Sequence, residues 1–332
     1  MLMLLRCSFA VSQERSDSFP VMVMFYNVEN LFDTFDDPLT EDDEFLPDGL
    51  MRWNQSRYNK KINSVYKVII AAGGWNPPAI IGLCEIENRK VLEDLVYGTL
   101  LSKYSYGIVH KDSPDTRGID VCMIFRKDLV HVIEYRSWIP GSTDKADFHS
   151  RSILYAKCAI RDDTVHLIIN HWPSRRGGVL AGEPLRKEIS DMIRNAVDSI
   201  GRSSTGPSKI IILGDFNCSP DDPVIQGLVN PDLSNGPDLV NLAAGIKTYN
   251  SGTYRYQGAW EILDQIIVSA ELLNCKKGLF AERKNFRIFM PDFLLKNESK
   301  YPGITPFSTY KGYRYQGGFS DHLPVLLDLG IR

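Results

Sequence analysis

The sequence predicts an α/β fold, and three features of it do so. Short apolar runs rich in β-branched residues recur along the chain and stop abruptly at acids, amides or histidines, the pattern of strands buried on both faces. Stretches with helical spacing, Tyr58–Ala72 and Leu185–Ile200, lie between those runs. At 332 residues, 43% hydrophobic and 24% charged, the chain can bury a large core without staples.

Taken in order, the first run is Val21–Tyr26, which ends in Asn27-Val28-Glu29-Asn30. The acidic stretch Asp33–Arg57 has little apolar periodicity and reads as a long surface loop ahead of the first helix. Ala79–Cys84 ends in Glu85-Ile86-Glu87-Asn88, with Glu87 read as a cap for a helix over Asn88–Tyr97. Arg117-Gly118-Ile119-Asp120 precedes the apolar Val121–Phe125, and Arg151 stands at the head of Ser152–Ile160. Val165–Ile169 ends in Asn170-His171-Trp172-Pro173-Ser174. A glycine- and serine-rich break, Gly201–Ser208, separates the second helix from Ile210–Asn217. Ile262–Val268 carries Asp264 inside it, and Ser320-Asp321-His322-Leu323-Pro324 leads into Val325–Leu329.

Ile210–Asn217 is the most informative of these. Asp215 and Asn217 are two positions apart, so a continued extended backbone sends both side chains from one face. Together they offer a proton acceptor and a neutral donor to one small target, which hydrolysis of a phosphate ester requires. Gly-Asp-Phe-Asn alone is equally a turn. The recurrence of such clusters at strand ends tips the reading, because layered folds collect a site there from distant segments.

Charge and cysteine usage bound the function. The formal net charge is −3 and the pI about 6.1, so the chain has no global basic field for gripping nucleic acid. A metal with a local basic patch would still serve a nuclease. The six cysteines include no Cys-x-x-Cys, and Cys84, Cys122, Cys158 and Cys275 sit in or beside apolar runs as core residues do. No apolar run approaches membrane length. Met1–Leu5 followed by Arg6 and Ser8-Phe9-Ala10 is either the remnant of an export signal or a disordered tail, which leaves an extracytoplasmic or a cytoplasmic location open.

The order Asn-Val-Glu, Leu-Cys-Glu-Ile-Glu, Asn-His-Trp-Pro-Ser, Gly-Asp-Phe-Asn, Leu-Asp-Gln-Ile-Ile, Ser-Asp-His-Leu-Pro resembles the endonuclease/exonuclease/phosphatase superfamily. The resemblance runs from about Val21 to Leu329. It implies a four-layer αββα sandwich, with two mostly antiparallel sheets packed face to face and helices outside. Because the motifs run from end to end, the chain reads as one catalytic domain over residues 19–332, preceded by residues 1–18 as tail or signal remnant, and it is expected to act as a monomer.

By the same resemblance Glu85 matches the principal metal-ligand glutamate and Asn27 the amide that completes the site. Glu29 stands where some relatives carry a second acidic ligand, and Asp321 is a further candidate. Oxygen donors without a Cys/His cluster favour Mg²⁺ or Mn²⁺. His322 is expected to be oriented by Asp264, as in the deoxyribonuclease-like members, and His171 by Asp120. The other histidines, His110, His131, His149 and His166, carry no special context.

The implied reaction is metal-assisted in-line attack of water on phosphorus. Asp215 activates the water, Asn217 and protonated His322 bind the phosphate oxygens, and His171 is a candidate acid for the leaving group. Arg117 and Arg151 are candidate phosphate clamps. Arg175 and Arg176 either reach the substrate or belong to a solvated loop. Tyr254-Arg255-Tyr256-Gln257-Gly258 recurs as Tyr313-Arg314-Tyr315-Gln316-Gly317. The two copies form either a substrate rim, with Arg255 and Arg314 on phosphates, or paired structural turns. The expected function is a metal-dependent, nuclease-like phosphodiesterase, with nucleic acid a candidate substrate. A lipid head group, phosphoinositide or nucleotide is the alternative, and an inactive binding protein is disfavoured by the complete residue set.

Overall fold

The computed structural model describes residues 21–141, 150–175, 182–204, 206–230 and 236–332. The candidate signal remnant, His149 and Arg176 lie outside the described residues.

The chain opens with β1 (Val21–Leu31), α1 (Gln55–Gly73), β2 (Ile80–Ile86), α2 (Arg89–Tyr97), β3 (Tyr106–His110) and β4 (Asp120–Arg126). It continues through β5 (His131–Trp138), β6 (Ile153–Ile160), β7 (Asp163–His171), α3 (Glu183–Ser203), β8 (Lys209–Asp215), α4 (Pro223–Val229) and β9 (Leu239–Asn241). A hairpin, β10 (Tyr254–Tyr256) and β11 (Ala259–Glu261), leads to β12 (Asp264–Ser269) and α5 (Ala270–Asn274). Then come β13 (Leu279–Phe280), β14 (Phe286–Ile288) and the pair β15 (Leu295–Asn297) and β16 (Ile304–Pro306). The hairpin β17 (Tyr310–Lys311) and β18 (Arg314–Tyr315) precedes the last strand, β19 (Val325–Ile331).

One sheet has the order β13-β19-β1-β2-β4-β3, with β14 also on β19, and the other β5-β6-β7-β8-β12-β9. Each has a single parallel pair at its centre, β1 with β2 and β7 with β8. Antiparallel strands flank each pair. A parallel pair needs a crossover connection, and α1 and α3 supply the two. The consequence is geometric. Four central strands end at the edge where their antiparallel neighbours β4, β6, β12 and β19 begin.

Period-two alternation then builds three cores. Val23 and Phe25 point between the sheets with Leu167, Ile169, Ile211 and Leu213. Met24 and Tyr26 point outward onto Val65, Ile69 and Leu92 of the first two helices. Ile210 and Ile212 point outward onto Ile189, Ile193 and Val197 of α3. Helix, sheet, sheet, helix is the four-layer sandwich the resemblance implied. Gly82 marks a close approach between the sheets, since a Cβ there would lie 3.1 Å from Ile169 Cγ2 and 3.1 Å from the Phe25 ring. The described cysteines are free and buried.

Two local expectations change. The stretch expected as a surface loop folds inward at Phe45 and Trp53. Phe45 stacks on Phe32 at 4.4 Å, and the Trp53 indole donates to Phe32 O at 2.9 Å. Isolated aromatics at irregular spacing leave no periodic signal, which is why the loop looked wholly exposed. Glu87 does not cap α2. Asn88 does, accepting from Val91 N, while Glu87 accepts from Asp33 N and fastens the loop. Asn54 caps α1 and starts it ahead of the helical apolar pattern.

On the outer face of the second sheet His166 meets the Tyr155 hydroxyl at 2.9 Å. Burial, with Lys157 nearby, lowers its pKa to about 4. The unfolded chain binds that proton near pH 6.5 and the folded chain only near 4, so this group's contribution to stability is present above pH 6.5 and is lost as pH falls toward 4. His166→Gln should therefore show a smaller drop in urea midpoint between pH 7 and pH 5 than the parent. An equal drop would mean that the histidine is not held neutral.

Candidate active site

The strands do not simply stop at the shared edge; two of them bulge. The β1–β2 register breaks between Asn27 and Leu31, and the β2–β4 register between Cys84 and Ile86. Glu29 (φ 55°), Asn30 (φ 52°), Glu85 (φ 61°) and Asn217 (φ 48°) all take the left-handed backbone region. For non-glycine residues this costs on the order of 1–3 kcal/mol each and persists where surrounding bonds hold it. Here the bonds are specific: Glu29 N to Asn27 Oδ1 at 2.9 Å, Asn30 N to Glu85 Oε2 at 2.8 Å, and Asn217 N to Asp215 Oδ1 at 2.9 Å. Bulges of this kind re-aim side chains.

What they aim at is a cleft of about 630 Å³ that includes Glu85, His171, Asp215, Asn217, Asp321 and His322 in its lining. Asn27 ties the two sheets beneath it, its Nδ2 donating to Asp215 Oδ2 at 3.1 Å and Glu85 Oε1 at 3.4 Å. His171 Nε2 lies 3.6 Å from Asp215 Oδ2 and 3.9 Å from Glu85 Oε1. His322 Nδ1 bonds Asp264 Oδ2 at 2.7 Å, so the expected His322–Asp264 pair is present. Thr253 Oγ1 accepts from Leu263 N and Asp264 N. Ser320 Oγ donates to Asn27 O at 2.7 Å and accepts from His322 N at 3.0 Å.

The two histidines are pushed in opposite directions. Burial lowers His171 well below the ordinary range, aided by Arg151 and His322. Burial also opposes charge on His322, but Asp264 and Asp215 outweigh it and hold it well above the ordinary range. Burial raises Asp215 to about 6, with His322 opposing. Glu85 is held below the ordinary carboxylate range, burial being overcome by Arg117 and Arg151. A neutral and a cationic imidazole thus share one cleft with an ionised glutamate, the separation that lets like groups play unlike roles.

Arg117 and Arg151 also reach the cleft. Arg117 Nη2 donates to Asn30 Oδ1 at 2.6 Å, and Arg151 Nη1 to Trp172 O at 3.0 Å. Asp115 faces Arg151 Nε at 3.4 Å and accepts from the backbone Arg117 N at 3.0 Å, which fixes the turn that carries Arg117. Asp115, Ser320 and Thr253 escaped sequence reasoning because a short polar residue that only supports others has no pattern of its own. Tyr254, whose ring centroid lies 4.8 Å from that of His322, was visible only as part of the internal echo.

Several expected placements are corrected. Asp120 pairs with His110 at 2.9 Å, not with His171. β3 and β4 are neighbours and His110 faces Cys122, which puts Asp120 diagonally beside it, whereas His171 belongs to the other sheet. His171 Nδ1 is buried without a partner. Asn217 does not continue an extended strand. It turns into the left-handed region, and its Nδ2 donates to Trp172 O at 3.0 Å.

Glu29 does not face the cleft as a ligand. Both of its oxygens accept from the backbone, Thr309 N and Tyr310 N. Arg175 is engaged, donating to Asn217 O at 2.8 Å and Glu261 Oε2 at 3.0 Å, so it shapes the cleft wall rather than standing free as a clamp. Arg255 turns away to Gly258 O, Pro302 O and Ile304 O. Arg314 is exposed on β18 and outside the cleft lining.

The donor set fits a hard divalent cation. Glu85 Oε1 keeps only the long contacts to Asn27 and His171, and its carboxyl stays ionised beside Asp321 in the cleft. Hard cations prefer such oxygens. Asp215, Asp264 and His322 also bring one ligand atom each within 4.8 Å of one another, but His322 Nδ1 and Asp264 Oδ2 are already spent on each other.

A cleft of this kind, with an ionised carboxylate at its base and guanidinium groups beside it, has the charges to hold a cation and an anion together. The sequence from residue 22 to residue 330 matches the Endonuclease/Exonuclease/phosphatase family model, and the chain belongs to that family. No curated protein matches it by sequence. Among solved structures it is similar to humanized D. rerio TDP2, with 13% identity, a TM-score of 0.57, and 93% of this chain and 98% of that one covered. The human Nocturnin catalytic domain gives 16%, 0.56, 94% and 95% on the same measures. A mannosyl-6-phosphatase of Bacteroides thetaiotaomicron VPI-5482 gives 14%, 0.56, 94% and 100%. At these identities the likeness is one of fold. Family membership supports a phosphoesterase hydrolase.

Histidine NMR checks the pairing. Asp264→Asn should bring the His322 pKa down toward the ordinary range, while Asp120→Asn should leave the His171 ring signals in place. A His171 signal that moves with Asp120→Asn would restore the rejected pair.

Proposed function

We propose that this protein is a divalent-metal-dependent phosphodiesterase of nuclease-like type. The observation that carries the reading is the convergence of Asn27, Glu85, His171, Asp215, Asn217 and His322 from two sheets into one cleft beside Arg117 and Arg151. Members of this family generally use a metal, and Glu85 with Asp321 would hold it here, with Mg²⁺ or Mn²⁺ the ions such donors suit. When bound, the ion supplies charge neutralisation at the phosphate oxygens.

The chain's own groups account for the rest. Asp215 is fixed from both sides, by Asn217 N on Oδ1 and Asn27 Nδ2 on Oδ2, so it can orient a water for in-line attack and accept its proton. The new bond runs from that water oxygen to phosphorus, and the bond to the leaving oxygen breaks opposite it with the electron pair, so the leaving group departs as an oxyanion that takes its proton from solvent. Cationic His322 donates a charge-assisted hydrogen bond to a phosphate oxygen through Nε2, its ring oriented by the bond from Nδ1 to Asp264. One N–H of Asn217 is spent on Trp172 O, which leaves the second for the substrate. Arg117 and Arg151 add forked donors that match phosphate geometry. His171 Nδ1 has no hydrogen-bond partner among the described residues and the ring is held neutral, so this assignment gives the charged role to His322 and leaves His171 a neutral imidazole whose Nε2 faces Asp215 and Glu85.

Two measurements test the proposal. Hydrolysis of bis-p-nitrophenyl phosphate should vanish with excess chelator, return on adding Mg²⁺ or Mn²⁺, and need more metal in Glu85→Gln; full turnover in chelator would end the metal assignment. Asp215→Asn, which keeps the hydrogen-bonding shape, should lower kcat by about 10²–10⁴-fold with little change in KM. A panel of plasmid DNA, RNA, sphingomyelin and a sugar phosphate identifies the ester. Exclusive cleavage of the sugar phosphate would replace the diester reading with a monoesterase.

A further inference from the structure

The cleft is larger than a phosphate group and one cation require, and its remaining wall is aromatic. Tyr254, Tyr256 and Leu263 line it together with the Arg175–Glu261 ion pair. Clefts of several hundred Å³ receive a whole small ligand, so the volume of about 630 Å³ leaves room for the group esterified to the phosphate.

The hairpin β10–β11 is built to hold those tyrosines in place. Its tight turn puts Gln257 (φ 49°) and Gly258 (φ 87°) both in the left-handed region, as two-residue hairpin turns demand. Arg255 is pinned on the far side by carbonyls of Gly258, Pro302 and Ile304 at 2.6–3.2 Å. Side chains alternate along a strand, so Tyr254 and Tyr256 share the opposite face, that of the cleft. Tyr254 is bridged to His322 through the backbone and packs its ring on that imidazole. Tyr256 stays 56% exposed, with Gln257 Nε2 donating to its hydroxyl at 3.1 Å. An aromatic ring carried on an anchored hairpin at a cleft and left uncovered offers its face to another ring.

We propose that Tyr256, backed by Tyr254, is a specificity-determining residue that stacks on a planar aromatic ring of the esterified group. The inference rests on the phosphoesterase reading of the same cleft and deepens it. The neighbouring polar groups choose among occupants. Arg175 supplies donors and Glu261 acceptors beside the tyrosine faces, which suits a flat ring with polar edges. A lipid chain would need an uninterrupted apolar wall, and this wall is broken by an ion pair.

Phenyl phosphate and cyclohexyl phosphate carry the same charge and differ in the planarity of the ring, so calorimetric titration of both in the presence of Mg²⁺ isolates the stack. In the parent protein phenyl phosphate should bind about 3- to 10-fold more tightly, the span an aromatic pair provides. Tyr256→Phe should keep that ratio and Tyr256→Ala should bring it to about one. A ratio of one in the parent, no binding of either ester, or an equal loss for both in Tyr256→Ala would overturn the assignment. Hydrolysis assays on the same preparations separate this outcome from the broader reading. Turnover without ring preference removes the platform and keeps the phosphoesterase, and ring preference without turnover does the reverse.

Discussion

The contact on which the site depends is the bridge that Asn27 makes between the sheets, one amide nitrogen shared by Glu85 of the first sheet and Asp215 of the second. It is available because each sheet has a parallel pair at its centre. Parallel strands end at the same edge, and only there can the last residues of β1, β2, β7 and β8 meet across the interface. An all-antiparallel sandwich would send half of these ends to the opposite rim. The crossover helices α1 and α3 are therefore part of the site's construction, although neither appears in the cleft lining.

Gathering Glu85, Asp215, Asp264 and Asp321 in one place is electrostatically costly, since buried carboxylates repel and lose hydration. The cost is offset locally. Burial and the nearby Glu85 raise Asp321, with His322 and Lys61 opposing. Glu85 stays ionised because Arg117 and Arg151 face it. Beneath the cleft, buried Lys61 donates to Thr309 Oγ1 and to Phe319 O, and Glu29 accepts from the next backbone amides. Burial and Asp321 push Glu29 up to about 7, with Lys61 opposing. This layer anchors the segment that carries Asp321 and His322. The position of His322 thus rests on groups outside the cleft lining.

Much of this was legible because strand ends carry a double signature, an apolar β-branched run followed at once by acids or amides. Glu85, His171 and Asp215 share one cleft, with Asn27 and Asp264 bonded to its residues, as the order of motifs implied. What could not be read was which strand lies beside which. Asp120 and His110 belong to neighbouring strands of one sheet, and nothing in the spacing of Arg117-Gly118-Ile119-Asp120 says so. Nor does sequence show that Glu29 sits on a bulge. Period-two reasoning puts it on the face of Asn27, but the left-handed backbone at Glu29 and Asn30 turns it toward Thr309. Bulges are decided by hydrogen-bond registry between strands, a property of the pair and not of either segment.

The repeated Tyr-Arg-Tyr-Gln-Gly segment carries that lesson furthest. In the first copy Tyr254–Tyr256 forms the strand and Gln257-Gly258 the turn. In the second the turn comes earlier, at Gly312-Tyr313, and Arg314–Tyr315 forms the strand. Tyr315 then packs edge-on to Tyr310 with the Arg57 guanidinium 4.4 Å above its ring, a helix-to-hairpin contact outside the cleft lining. Identical side chains thus meet opposite fates. Where the turn falls sets what each tyrosine meets, because the strand precedes the turn in the first copy and follows it in the second. The first arrangement leaves Tyr256 open in the cleft lining, while the second uses up Tyr315 in packing. A function assigned to the repeat as a unit would be wrong for one copy, and only the strand pairing tells which.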